Sequence, residues 1–220
     1  MRYLPFLFLA SCTSPSVFDD PPGEREGGMH FIQGFAGVSD LGTVGGSGPA
    51  DGGFLSGADV DAVPFLGGAL QFGLTNVREV EVGIEGGATF FAGSFDGSIN
   101  LGGTPQATDA DLFGGSFFLG AFASYFWSSN WRIWAGAGPL FQLVRFDFDF
   151  DAGGLGGDSF GDNASGFGYY VRAGIERRLA DGFLLGIGAR WFDADLDFSD
   201  DFEGEDFSGP QLFVTLSYAL

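Results

Sequence analysis

The feature that most constrains this chain is the way its apolar segments are joined. Eight glycine-punctuated apolar segments are separated in turn by long polar stretches, at 40–62, 94–110, 151–163 and 199–207, and by tight turns, at 76–78, 128–130 and 180–182. A chain that reverses sharply at one end and loosely at the other runs up and down. The pattern predicts an all-β, eight-stranded antiparallel up-and-down transmembrane β-barrel over 29–220, with both ends of the barrel on the short-turn rim. Lipid offers the backbone no hydrogen bonds, so only helices and edgeless barrels cross a bilayer. The chain has no run of roughly 18 apolar residues to supply a helix.

Successive strand residues point to opposite faces, so each barrel strand should show one lipid-compatible row and one small or polar row. From Val80, one row reads Val80, Val82, Ile84, Ala88, Phe90, Ala92 and the other holds Glu81, Glu85 and Thr89. From Phe167, the outward row is Phe167, Tyr169, Val171, Ala173, Ile175, facing an inward row of Arg172, Gly174, Glu176 and Arg178. The last segment sets Leu212, Val214, Leu216, Tyr218 and Leu220 against Gln211, Thr215 and Ser217. Two strands change character part-way: Trp131 to Leu143 continues in the same row as Arg145, Asp147, Asp149, and Phe183 to Trp191 continues as Asp193, Asp195, Asp197. Strands that outrun the bilayer explain this, with Arg145 at the head-group boundary. The segments 29–39, 64–75 and 111–127 carry weaker alternation, the last being apolar in both rows. Trp127 and Trp131 flank a tight turn, where an interfacial aromatic girdle belongs.

The chain has 29 acidic residues against nine basic ones, all arginine. Twenty of the acids fall in or just below the long loops. A nucleic-acid surface is excluded by that balance, and a disordered chain by 28 Phe. The acidic runs Asp147, Asp149, Asp151 and Asp193, Asp195, Asp197 lack the sixth-position glycine of an EF-hand loop. They read first as a solvated strand face, with divalent cations at the acidic loops as the alternative. Glycine runs such as 45–48 and 153–157 lack the lysine and helix of a phosphate loop.

At the amino terminus, Leu9-Ala10-Ser11-Cys12 follows a short apolar core and resembles the lipobox of bacterial lipoprotein signal peptides. That resemblance implies a signal peptide at 1–11 and lipidation of Cys12, followed by a flexible tether at 12–28 rich in Pro, Gly, Ser and acids. Cys12 is the only cysteine, so no intramolecular disulfide is available.

The inward rows place Glu81, Glu85, Arg132, Arg172, Glu176, Arg178 and Arg190 in the lumen, with Gln71, Gln142 and Trp134 as neighbours. Eight strands enclose an interior about wide enough for side chains alone, so these charges are expected to pair as a plug; a gated small-ion path is the alternative. Above them Val144, Phe146, Phe148, Phe150 and Phe192, Ala194, Leu196, Phe198 predict a small apolar core in the extracellular mouth. Phe118, Phe146, Phe148, Phe150, Tyr170, Phe192 and Phe198 form its aromatic set, either plug or apolar pocket. The sole histidine, His30, begins the first strand near the short-turn rim and reads as an interfacial residue. No nucleophile motif accompanies it, so no catalytic residue, cofactor or resident metal is assigned.

This organisation resembles the eight-stranded outer-membrane barrels of the OmpA, OmpX and OmpW types, in architecture rather than motif. The closing GPQLFVTLSYAL resembles the carboxy-terminal strand read by the barrel-assembly machinery, although it ends in Leu220 where the family usually has Phe. The resemblance implies the outer membrane of a Gram-negative bacterium, periplasmic termini, and contact with membrane lipid and lipopolysaccharide. Three roles follow as expectations: a structural or surface-interaction barrel displaying acidic loops, a narrow channel or pocket for small hydrophobic molecules, and a soluble lipocalin-like lipoprotein. The third needs apolar residues inside and polar ones outside, against which the Glu and Arg rows stand.

Overall fold

The computed structural model describes residues 29–41, 43–47, 54–59, 62–77, 79–101, 104–150, 159–198 and 205–220. Cys12, the signal segment and the tether lie outside the described residues. The strands are β1 (His30–Ser39), β2 (Thr43–Ser47), β3 (Phe54–Asp59), β4 (Val63–Val77), β5 (Val80–Leu101), β6 (Thr104–Ser128), β7 (Trp131–Phe150), β8 (Ser159–Ala180), β9 (Phe183–Phe198) and β10 (Glu205–Ala219). Eight of them close a ring in the order β5, β4, β1, β10, β9, β8, β7, β6, with β6 pairing back to β5. The pairings are antiparallel, and first strand meets last through Phe31 opposite Ala219 and Ser39 opposite Gln211. The remaining pair, β2 and β3, forms a hairpin that adds to the upper part of β5 at Phe54 opposite Asn100.

The tight connections lie where the sequence places them, and both ends of the ring fall on that rim. The turn after β8 depends on Gly182, whose φ of 81° is left-handed; a side chain there would be strained and would also meet the Tyr218 ring.

The expected loop at 94–110 is corrected. β5 and β6 continue as an unbroken ladder from Ser94 opposite Asp111 to Leu101 opposite Thr104. Beyond Ala92 the two rows of β5 exchange character, Ser94, Asp96, Ser98 and Asn100 following the apolar row and Phe95, Ile99 and Leu101 the other, the same exchange that β7 and β9 show where they outrun the bilayer. Similarly β8 begins at Ser159 and β10 at Glu205, inside stretches expected to be loop. A bilayer requires about 9–11 residues per tilted strand, so β5 and β6, at 22 and 25 residues, stand well clear of it.

The outward rows form a continuous apolar belt. Phe167 is 74% exposed, and Leu66, Leu119, Ile187 and Leu212 are also exposed. Water would tolerate no such surface on a soluble monomer, which removes the lipocalin-like alternative. Below the belt the Trp127 and Trp131 rings lie 6.0 Å apart, and Phe183 and Tyr218 lie 4.8 Å apart. Above it Arg145 donates from Nε and Nη2 to the Asp147 carboxylate at 2.9–3.0 Å. That bonding, with the Asp147 charge, pushes the Arg145 pKa up. Asp193, Asp195 and Asp197 continue the outward row of β9, and Tyr169 donates to Asp193 at 2.9 Å.

Candidate functional site

The lumen is where the chain concentrates its unusual chemistry. Glu85 on β5 and Arg172 on β8 face each other across it: Arg172 Nε donates to Glu85 Oε1 at 2.9 Å and Nη2 to Oε2 at 2.6 Å. Arg132 on β7 pairs with Glu176 on β8 at 3.1 Å. All four side chains are at most 1% exposed. Two glutamines connect the pairs. Arg132 Nη2 donates to Gln71 Oε1 at 2.7 Å, and Gln71 Nε2 donates to Glu85 Oε2 at 2.9 Å. Arg172 Nη1 donates to Gln33 Oε1 at 2.9 Å, and Gln33 Nε2 donates to Glu176 Oε1 at 2.8 Å. The result is a closed circuit, Arg132, Glu176, Gln33, Arg172, Glu85, Gln71 and back to Arg132, drawn from five strands.

Each amide in that circuit has only one consistent orientation, its oxygen toward an arginine and its nitrogen toward a carboxylate. Ser217 Oγ and Tyr170 Oη add donations to Glu176 and Glu85, at 2.7 and 2.9 Å. Aromatic rings cover the cations: Arg132 lies 3.7 Å from the Phe31 ring centre, and Arg172 lies 4.8 Å from that of Trp134 and 5.1 Å from that of Phe118. Glycines on other strands make the room. A Cβ on Gly136 would strike the Glu85 carboxylate, and one on Gly174 would lie 2.6 Å from the Trp134 ring.

The other expected lumen charges are placed differently. Glu81 sits nearer the short-turn rim, accepting from the Met29 backbone N–H and, at 3.1 Å, from Ser124 Oγ. Arg178, two residues beyond Glu176 toward the turn, bonds Asp181 of that turn at 2.9 Å. Arg190 lies above the circuit, buried among Phe118, Tyr170 and Phe192. Of the expected aromatic set, Phe118, Phe146, Tyr170 and Phe192 are buried in one cluster; the side chains of Phe148, Phe150 and Phe198 lie outside the described residues. Phe91 and Phe207 join that cluster, Phe207 lying 6.0 Å from Phe91 and 5.7 Å from Phe192 between ring centres. Sequence reading missed Gln33, whose only signal was a polar residue in the inward row of a weakly alternating strand. Among the described residues no three His, Cys, Asp or Glu side chains converge on a metal position. His30 faces outward and tilts against Phe72 at 5.6 Å.

Ring closure, an apolar belt outside and a hydrogen-bonded interior define the fold of an eight-stranded antiparallel transmembrane barrel. Solved structures with similar folds include the outer membrane protein OprG from Pseudomonas aeruginosa, at TM-score 0.58 and 15% identity over 89% of this chain and 97% of that one. The outer membrane protease OmpT from Escherichia coli is similar at TM-score 0.56 and 7% identity, over 87% of this chain and 97% of that one. At these identities the likeness is one of fold, and a fold carries no activity with it. No family model and no curated protein matches the chain.

Removing one partner of a buried ion pair leaves an uncompensated charge, which costs about 3–5 kcal/mol. Glu85→Gln is therefore expected to lower the unfolding free energy in detergent by about that amount. Arg145→Gln, in the exposed pair with Asp147, should change it by less than about 1 kcal/mol. Urea titration followed by the mobility difference between folded and unfolded barrel on gels measures both, and equal effects would contradict the buried-pair assignment.

Proposed function

We propose that this protein is an outer-membrane barrel with a structural and surface-interaction role, its lumen sealed to solutes and its acidic strand ends presented outside the cell. The observation that carries the reading is the closed circuit of six side chains, spanning an interior that eight strands leave about wide enough for side chains alone. Aromatic packing at Phe91, Phe192 and Phe207 adds a second barrier above it. The outer-membrane likenesses support the location, with short turns and both termini on the periplasmic side and lipid, lipopolysaccharide and the barrel-assembly machinery as partners. The reading is non-enzymatic: Glu85 and Glu176 are held by arginines and amides, and Glu81 by the Met29 N–H and the Ser124 hydroxyl. A pocket for small hydrophobic molecules is the second reading, supported by the aromatic mouth. It is disfavoured because those rings pack on one another.

Purified protein in planar bilayers should show no reproducible conductance. A variant with Arg132, Arg172, Glu85 and Glu176 all replaced by Ser, if it folds, should conduct, since the circuit is what fills the section. A steady single-channel current from the unaltered protein would overturn the sealed-lumen reading.

The LASC segment supports a lipid anchor at Cys12, joined to β1 by the 12–28 tether. Cys12→Ala should abolish incorporation of a fatty-acid probe while the barrel still folds, because the strands satisfy their own backbone groups. Persistent labelling would remove the anchor from the proposal.

A further inference from the structure

Arg190 stands apart from the other buried arginines. Arg132 and Arg172 each hold a carboxylate at ion-pair distance. Among the described residues Arg190 has one hydrogen bond, from Nη2 to Ser116 Oγ at 3.3 Å, while Nε and Nη1 are buried with no protein acceptor. The residue is 3% exposed. A guanidinium does not shed its proton to escape such a position.

The neighbouring groups do not supply the missing charge. Arg172 lies directly across the β8–β9 ladder and adds a second cation. Glu85 is already engaged at both oxygens, by Tyr170 and Arg172 at Oε1 and by Gln71 and Arg172 at Oε2. Glu81 is eight residues along β5 from Thr89, the residue bonded to Ser116, so the distance is about 26 Å along the strand. Ring centres of Phe118, Tyr170 and Phe192 lie 5.0, 5.3 and 5.8 Å from the guanidinium carbon. Aromatic faces attract a cation without neutralising it.

Gln211, opposite Arg190 in the β9–β10 ladder, offers a buried amide oxygen that is neutral and receives no hydrogen bond. Gln142 is opposite Ser116 in the β6–β7 ladder, and its Nε2 is buried without an acceptor. We propose that Arg190, with Gln142 and Ser116, forms a buried site for a halide-sized monovalent anion between the hydrogen-bonded circuit and the aromatic mouth. The size follows from the enclosure, since three ring centres lie within 6 Å of the guanidinium carbon and exclude an organic acid. Binding neutralises Arg190 and gives its orphan N–H groups an acceptor. It requires no conduction, so the sealed-lumen reading and this one fail independently.

The test is thermal unfolding of the refolded full-length barrel in uncharged detergent, read from loss of the compact gel form. Sodium chloride or bromide is exchanged for sodium gluconate at constant ionic strength. A saturable rise of about 2–4 °C with halide is expected. Arg190→Met should abolish the response and Arg178→Gln should retain it. Should Arg190→Met fail to fold, Gln142→Leu serves instead, with a several-fold loss of apparent halide affinity expected. Identical midpoints in halide and gluconate, or an undiminished response in Arg190→Met or Gln142→Leu, would overturn the proposal.

Discussion

Charge inside a closed barrel with no room for bulk water must be neutralised by the barrel's own side chains or by something it binds. That constraint organises the interior of this protein. Two arginine–carboxylate pairs alone would satisfy it locally, but here Gln33 and Gln71 join them into one circuit. The amides transmit polarity, so each pair fixes the orientation of the next. A buried ion pair is weak evidence for net stability, because an apolar pair of similar volume often does as well. Its sharper consequence is specificity: a one-residue slip of any contributing strand would turn its ring member toward lipid. The circuit thereby ties β1, β4, β5, β7 and β8 to one register.

Packing around the circuit follows from the same geometry. Eight strands leave little cross-section, so large inward side chains lie against glycines, as Trp134 does on Gly174 of the adjacent strand and Glu85 on Gly136 two strands away. Above, the aromatic mouth excludes water and lowers the local dielectric, which strengthens the paired charges beneath it and penalises an unpaired one. Outside, the lipid belt gives way to Arg145, Asp147 and the β9 aspartates where the long strands emerge. Inside and outside are thus two solutions to one problem, the satisfaction of polar groups away from water.

Much of this was legible in the sequence because a strand's period of two sorts side chains by face. The inward placement of Glu85, Arg132, Arg172, Glu176 and Arg190 follows from parity alone, as does the lipid-facing row of β10. What parity does not contain is height across the barrel. Partners on opposite walls are set by strand tilt and stagger, so the meeting of Gln33 with both Arg172 and Glu176 could not be read, nor could the placement of Arg178 with Asp181. Tyr170 belonged to the apolar set by its ring, yet its hydroxyl completes Glu85. The upper parts of β5 and β6 were hidden for a related reason. Once a strand leaves the bilayer its outward row turns polar, so the apolar row that marks a barrel strand ends although Phe95, Ile99 and Leu101 still alternate with Asp96, Ser98 and Asn100.

The central claim is that the six side chains act as one unit and not as two separate ion pairs. Gln33 and Gln71 are diagonal neighbours across the β1–β4 ladder, make no hydrogen bond to each other and share no hydrogen-bond partner. A double-mutant cycle with Gln33→Leu and Gln71→Leu, measured by urea unfolding in detergent, isolates their coupling. The expected result is an interaction energy above about 0.5 kcal/mol, because breaking the circuit at one amide already loosens what the other holds. Additivity within about 0.3 kcal/mol would contradict the account and reduce the circuit to independent pairs.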